Sequence, residues 1–333
     1  MKKRPPQHAS LAIPALAGLT LLVFASSAMA GSSSKHRFSG WKAAKPVIEV
    51  NDNMAAEGCP IESRDGLSLF IASNRPSEQT QDDGVPRNDI WVSDRENKYA
   101  PFSEPENLNV PVNSGGNDFC PTPLDHRWLM FVSDRLGTET CNPNGSGDMY
   151  LVRQNAGSGW GEPQHLGCIE TGTGPNSAGA EFSPSLVTTK RGTFLYFSSN
   201  VSGNMDIYVS RRGPGGVFGP PSPVHELNTE YDDRMPNVSS DGLEIVFSSD
   251  RPVDAKGKRN FGKETFDVYV STRSSTNGRW SGPRNAGRNV NSSRSEFRPS
   301  LSWDRKRMYF GRDGDIWSTY RKEKKHQKPQ KHH

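Results

Sequence analysis

The chain has 333 residues, a formal net charge of +4 and only 32% apolar residues, with 25 Pro and 32 Gly. A low apolar content is typical of disordered chains, but the 9% of aromatic residues recur at regular positions and favour one all-β domain of short strands and turns. The excess positive charge lies at the two ends. The mildly acidic middle therefore argues against a nucleic-acid-binding protein.

The first 30 residues are predicted to be a signal peptide. Lys2–Arg4 is basic, Leu11–Ala25 is apolar, and a small-residue cleavage site ends at Ala30. Residues 31–44 follow as a leader, and residues 322–333 form a basic tail that we expect to be disordered. No later segment is apolar enough to span a membrane. We therefore expect a monomer that is periplasmic or secreted after cleavage.

A sequence unit recurs five times between residues 45 and 321. Each unit begins with an acidic residue, and a proline follows three residues later: Glu57 with Pro60, Asp118 with Pro121, Glu181 with Pro184, Asp233 with Pro236, and Glu296 with Pro299. An aspartate opens a later strand of each unit: Asp89, Asp148, Asp206, Asp267 and Asp315. A period of roughly 50–60 residues indicates a propeller or solenoid, since one unit alone cannot bury its apolar faces.

Each unit contains four strand candidates, but the first copy of the fourth strand precedes the first acidic residue. The last unit ends without a fourth strand. The simplest arrangement pairs Lys45–Asn51 with the last unit. The sequence thus predicts an all-β, five-bladed β-propeller whose last blade is closed by the N-terminal strand, which removes the open edge of an unclosed array.

Three runs carry a family resemblance: FSPSL at 182–186, DIYVS at 206–210 and SSDGLEIVFSSDRP at 239–252. They resemble the TolB-type, WD-like propeller repeat of exported bacterial proteins. The resemblance implies an interaction module with some carbohydrate-active relatives. TolB itself is similar to a six-bladed propeller with an additional N-terminal domain, so a role beside Tol and Pal is not implied.

Candidate ligand-binding residues lie around the predicted channel mouth: Glu57, Glu62, Asp118, Glu181, Asp233, Arg234, Glu296 and Arg298. The five acids at the strand starts can bind a cation, a basic peptide or sugar hydroxyls, or they can accept backbone N–H groups in their own turns. Glu62, Arg234 and Arg298 depart from the repeat. The two arginines suit an anionic ligand, or they neutralise the acidic residues.

Two further columns of the repeat have structural interpretations. The strand-opening aspartates are expected to bond to their own turn backbone. Arg75, Arg135 and Arg251 are expected to pair with carboxylates of neighbouring blades. Long loops at 76–88, 136–147 and 252–266 border the same face, where binding usually occurs, and Lys256–Lys263 forms a basic loop tip.

Four cysteines follow the signal peptide, and an even number in an oxidising compartment indicates disulfides. We pair Cys59 with Cys120 and Cys141 with Cys168, although four cysteines allow three connectivities. A zinc site is the alternative, but neither pair has the C-x-x-C spacing. We expect no metal and no cofactor.

The leading functional hypothesis is a non-enzymatic module that recognises an envelope protein, peptide or glycan through the loop-rich face. The alternative is a glycoside hydrolase-like enzyme that uses the inner-strand carboxylates, which would have to lie about 5–9.5 Å apart in pairs. A third possibility is a purely structural scaffold.

Overall fold

The computed structural model describes residues 38–77, 85–125, 127–135, 141, 147–157, 159–251 and 265–324. These residues form strands and turns without an α-helix, so this part of the chain offers no helical membrane span. The predicted signal peptide, the start of the leader, the basic loop tip and the tail from residue 325 lie outside the described residues, as do large parts of the three long loops.

Twenty strands form the fold. In chain order they are β1 (Lys45–Pro46), β2 (Glu57–Glu62), β3 (Ser68–Ser73), β4 (Asp89–Asp94), β5 (Glu106–Asn107), β6 (Asp118–Pro123), β7 (Trp128–Ser133), β8 (Asp148–Arg153), β9 (Gln164–His165), β10 (Glu181–Thr189), β11 (Gly192–Ser199), β12 (Asp206–Arg211), β13 (Ser222–Pro223), β14 (Asp233–Val238), β15 (Glu244–Ser249), β16 (Asp267–Thr272), β17 (Arg284–Asn285), β18 (Glu296–Leu301), β19 (Arg307–Arg312) and β20 (Asp315–Tyr320).

These strands make five antiparallel four-stranded sheets, which are the blades of a five-bladed β-propeller. Blades 1 to 4 are β2–β5, β6–β9, β10–β13 and β14–β17, and blade 5 is β18-β19-β20-β1. The inner strands are therefore β2, β6, β10, β14 and β18. The predicted fold class is confirmed.

The N-terminal strand closes the ring as predicted. Lys45 lies opposite Ser318, and Pro46 lies opposite Trp317. The side-chain amide of Asn51 then pairs with both backbone groups of Ile316. The other four blades show the same amide pairing, in Asn113 with Ile90, Asn176 with Met149, Asn228 with Ile207 and Asn291 with Val268. The recurring Asn therefore fastens each turn to the preceding blade.

The recurring proline marks a bulge in every inner strand. Proline has no N–H to donate to the ladder, and the register shifts across it in all five blades. The residue before each proline adopts a positive φ between 49° and 59°: Cys59, Cys120, Ser183, Met235 and Arg298. A bulge re-aims a side chain: Cys59 is bonded to Cys120, the Cys120 Sγ lies 3.2 Å from the Ser183 Oγ, and Arg298 reaches backbone carbonyls of two other blades.

The hydrophobic core lies between the blades. Each adjacent pair of blades shares one cluster of buried side chains, so five clusters encircle the channel. Leu69, Ile90, Leu129, Phe247 and Phe310 are representative members and are fully buried. Since no blade buries its faces alone, the ring is stable only as a whole.

Candidate functional site

Five buried carboxyl groups form an acidic ring on the face where the inner strands begin. The members are Glu57, Asp118, Glu181, Asp233 and Glu296, and each is at most 4% exposed. Each accepts hydrogen bonds from the turn before its strand, as when the Ser114 N–H and Oγ donate to Asp118 at 2.6 and 2.8 Å. The expected turn-capping role is therefore observed.

Four of the five ring carboxyls also face an arginine. Arg75 lies 3.3 Å from Glu57, Arg135 lies 2.7 Å from Asp118, Arg312 lies 2.8 Å from Glu296, and Arg251 pairs with Asp233. Each guanidinium also donates to a carbonyl of the preceding turn. The prediction that arginines at the strand ends pair across blades is wrong, because each acid and its arginine belong to the same blade.

Glu181 in blade 3 is the exception. Its carboxyl accepts bonds from the Ser177 N–H and Oγ and from the Ser199 Oγ, and none of the described arginines pairs with it. Val201 lies two residues after Ser199, and the corresponding position of blades 1, 2 and 4 is the arginine that pairs with the acid. The Val201 backbone N–H donates to the Ser199 Oγ, just as the backbone N–H of each arginine donates to its serine Oγ. Blade 3 therefore keeps the backbone geometry of the other blades, but valine replaces the arginine at this position.

The environment of Glu181 keeps it protonated at neutral pH. Burial raises its pKa to about 8, against the lowering effect of the Ser177 and Ser199 hydrogen bonds, and the charge of Asp148 raises it further. Burial also raises the pKa values of Glu57, Asp118 and Glu296, but there the arginines oppose the shift. A neutral carboxyl can donate its proton, which an arginine-paired carboxylate cannot do.

Asp148 opens β8 in the neighbouring blade and is 3% exposed. Its Oδ2 lies 3.1 Å from the His165 Nε2 and accepts the Cys141 N–H at 3.0 Å. Asp89 and Asp267 accept in the same way from Asn107 and Asn285.

The prediction that the strand-opening aspartates bond within their own turn holds for Asp148, which accepts the Cys141 N–H, and for Asp206, which accepts from the Ser202 Oγ. Asp89, Asp148 and Asp267 also meet an amide or imidazole of the outer strand, which the prediction did not include. Asp148 and Glu181 are thus carboxyls from adjacent blades, and the charge of Asp148 raises the pKa of Glu181.

Arg298 fills the channel itself. The side chain is fully buried, and its guanidinium donates to the carbonyls of Pro184 and Pro236 and to the Thr122 Oγ1, which belong to three different blades. Burial lowers its pKa to about 9. The predicted alternative of neutralisation by the acidic ring is absent from its described contacts, because backbone carbonyls hold the cation instead.

Arg234 lies among aromatic rings at the mouth. Its guanidinium is 3.7 Å from the ring centre of Phe266 and 5.3 Å from that of Phe297. Burial lowers its pKa, while Asp232 and Asp250 act in the opposite direction. Cation–π contacts rather than ion pairs with the acidic ring account for this arginine in the described structure.

Glu62 belongs to the opposite face. Glu57 and Glu62 are the two ends of the six-residue β2, so about 16 Å separates them along the strand. Glu62 lies 2.5 Å from Arg95 and accepts a 3.0 Å hydrogen bond from the Tyr309 hydroxyl. It therefore cannot share a reaction centre with the acidic ring. It lines a cavity of about 340 Å³ at the other end of the channel, where it remains a candidate ligand-binding residue.

Both predicted disulfides are present, Cys59–Cys120 and Cys141–Cys168. Among the described residues, Cys141, His165 and Cys168 form a cluster of metal-ligand type, but its sulfurs are bonded to each other. The Gly167 N–H donates to the His165 Nδ1 at 3.1 Å, and the His165 Nε2 lies 3.1 Å from both the Asp148 Oδ2 and the Asn176 Nδ2, so both imidazole nitrogens are engaged within the protein. Both facts disfavour the zinc alternative.

Neither a protein-family model nor a curated protein sequence matches the chain. Solved structures do match. An α-L-arabinofuranosidase from Podospora anserina in complex with cellotriose is 13% identical, with TM-score 0.50, over 86% of this chain and 97% of that one. A glycosyl hydrolase from Bacteroides ovatus is 9% identical, with TM-score 0.52, over 87% and 96%. An endo-arabinase from Bacteroides thetaiotaomicron is 11% identical, with TM-score 0.51, over 87% and 99%.

These matches establish a shared fold and correct two predictions. The TolB-type, WD-like assignment is wrong, because the matching structures are five-bladed glycoside hydrolases. The same finding overturns the envelope-binding module as the leading function. The repeat motifs that suggested TolB encode turns, bulges and caps common to any such blade, so they report architecture and not activity.

Proposed function

We propose that this protein is an exported carbohydrate-active enzyme of the glycoside hydrolase type, with Glu181 as its proton donor. The observation that carries the proposal is the single ring carboxyl with which none of the described arginines pairs, and whose pKa is raised to about 8 by burial. A glycosidase needs one carboxylic acid that is still protonated at the working pH to protonate the leaving oxygen. The other four ring acids each form an ion pair with an arginine.

Asp148 is the second carboxyl of the proposed pair. Its negative charge acts on Glu181, and the His165 imidazole fixes its orientation at 3.1 Å. A second carboxylate serves glycoside hydrolysis either as nucleophile or as the base that activates water. Glu181 is completely buried, so substrate binding has to uncover its carboxyl.

The fold comparisons support the substrate class. The matching proteins include an α-L-arabinofuranosidase and an endo-arabinase, so polysaccharides that contain arabinose are the first substrates to test. The predicted export, which rests on the sequence alone, would bring the enzyme into contact with such polymers. Glycans are accordingly the proposed partners.

The test measures reducing-sugar release from arabinan, arabinoxylan, xylan and cellulose oligosaccharides between pH 5 and 9. The wild type should cleave at least one substrate, with a rate that falls as the pH rises through about 8, where Glu181 loses its proton. Glu181→Gln, which keeps the size and most hydrogen bonds, should lower kcat by about 10²–10⁴-fold. An inactive wild type, or an active Glu181→Gln protein, would refute the proposal.

Val201→Arg is the matched variant, because it places in blade 3 the arginine that blades 1, 2 and 4 carry. The added cation should lower the pKa of Glu181 and shift the alkaline limb of the pH–rate profile to lower pH. A merely structural Glu181 would leave that limb in place.

A further inference from the structure

The second residue of each inner strand shows a break in the five-fold pattern. Phe119, Phe182, Arg234 and Phe297 occupy this position in blades 2 to 5, whereas blade 1 has Gly58. The large side chains fill the spaces between blades: Phe119 and Phe182 have ring centres 5.6 Å apart, and Arg234 lies over Phe297. The junction between blade 5 and blade 1, which we call the seam, lacks such a side chain.

Glycines form the floor of the seam. A Cβ atom added to Gly58 would meet no atom within 4 Å, and one added to Gly311 would come no closer than 3.8 Å, its nearest neighbour being the Gly58 Cα. The Glu57 N–H donates to the Gly314 carbonyl across the seam at 2.6 Å, as other ring residues do to their preceding blades. Among the described residues, the missing side-chain volume is therefore open space and not a collapsed contact.

A cavity of about 390 Å³ occupies this space, on the same face as the acidic ring. Phe297 forms an aromatic wall, and Arg294 and Asp313 lie 3.4 Å apart at the rim, 66% and 50% exposed. The volume is at the lower end of the range for small-molecule sites, which combine apolar surfaces with a few converging polar groups.

The charges of the lining are paired. Arg294 faces Asp313, Arg312 faces Glu296, and Glu57 faces Arg75. A ligand with a net charge would leave one of these pairs unbalanced, whereas hydroxyl groups can both donate to Asp313 and accept from Arg294. Phe297 offers a flat apolar surface for the carbon face of a ring.

From this lining we infer that the seam is a binding subsite for one uncharged pentose or hexose unit of a glycan, with Gly58 as the residue that opens it. The inference rests on the proposed glycan-directed function, but it adds a location, a ligand size and a charge class. The break in the repeat is confined to blade 1, since the corresponding inner-strand position of each other blade carries Phe119, Phe182, Arg234 or Phe297.

The experiment compares the wild type with Gly58→Phe, which supplies the missing side chain. Gly282→Phe is the control, because its added Cβ also meets no atom within 4 Å and it lies in blade 4 just before β17, away from the seam. Binding of xylotriose, cellotriose, arabinotriose and free L-arabinose is measured by calorimetry and by saturation-transfer NMR, and folding is monitored by the thermal midpoint.

We expect at least one probe to bind the wild type and Gly282→Phe alike, and Gly58→Phe to bind it at least tenfold more weakly with an unchanged thermal midpoint. Equal binding by Gly58→Phe, or no binding of any probe to the wild type, would overturn the subsite. If Gly58→Phe unfolds, Asp313→Ala replaces it, with the same expected tenfold loss; unchanged affinity in that variant overturns the subsite as well.

The outcomes separate this inference from the proposed hydrolysis. Binding that depends on Gly58 without any turnover retains the subsite and refutes the enzyme. Turnover that depends on Glu181 but is indifferent to Gly58→Phe, in both KM and kcat, retains the enzyme and refutes the subsite.

Discussion

The protonation of Glu181 makes a quantitative prediction about stability. Its pKa is about 8 in the folded chain, against 4.5 for an unperturbed glutamate, which represents the unfolded chain. Because the folded state holds this proton more tightly than the unfolded state, the contribution to stability is complete below about pH 4.5 and is lost as the pH rises through 8. A difference of 3.5 pKa units corresponds to about 5 kcal/mol over the whole range, and about 3–4 kcal/mol falls between pH 5 and 8.

The perturbation is Glu181→Gln, which removes the titration. The free energy of unfolding is measured in urea at pH 5 and at pH 8 for both proteins. From pH 5 to pH 8 it should fall by about 3–4 kcal/mol more in the wild type than in the variant. In a chain of this size, 1 kcal/mol of unfolding free energy corresponds to about 2 °C in the thermal midpoint. The difference in thermal midpoint between wild type and variant should therefore change by about 7 °C between pH 5 and pH 8. Other titrating groups cancel in the comparison.

Val201→Arg provides the matched control. Val201 is 49% exposed, so a longer side chain has room, and the added guanidinium should flatten the pH dependence by lowering the pKa of Glu181. Parallel stability curves for the wild type and Glu181→Gln would refute the reasoning, because Glu181 would then ionise as an ordinary carboxyl. They would also remove the basis for its role as proton donor.

Three further predictions concern stability. Replacing Cys59 and Cys120 by serine should lower the free energy of unfolding in oxidising buffer by about 4 kcal/mol, as measured in urea, because the bond closes a loop with a sequence separation of 61; equal stability would contradict it. Glu62→Leu should cost about 3–5 kcal/mol by leaving Arg95 buried without its carboxylate, and adding Arg95→Met should recover most of that loss. Deleting residues 31–46 removes β1 and the buried Trp41, so we expect the free energy of unfolding to fall by at least about 3 kcal/mol. The exposed edge of β20 should also cause association, which light scattering detects. A monodisperse, equally stable product would contradict the ring closure.

The sequence by itself determined the architecture. Five repeats with a displaced fourth strand predict five blades and closure by residues 45–51, of which 45–46 form the observed strand β1, because an unpaired strand edge is unfavourable. The pairing of Cys59 with Cys120 followed from their common slot on adjacent inner strands. The turn-capping role of the acidic ring followed from its occurrence in every repeat. These features are local and periodic, so they can be read without knowing which residues meet across the channel.

The tertiary structure decided the site. The sequence shows Val201 where other repeats have an arginine, but only the structure shows that this arginine pairs with the acid of its own blade, and so that Glu181 is the acid affected. Only the bulge directs Arg298 into the channel, where it meets the Pro236 carbonyl of the neighbouring blade. Gly58 looked unremarkable in the sequence, because its meaning depends on Phe297 of the last blade. The buried charge of Arg298 meets carbonyls of other blades, and Gly58 and Phe297 border one cavity from opposite ends of the chain. Such contacts join residues far apart in the sequence, so they exist only once the ring has closed.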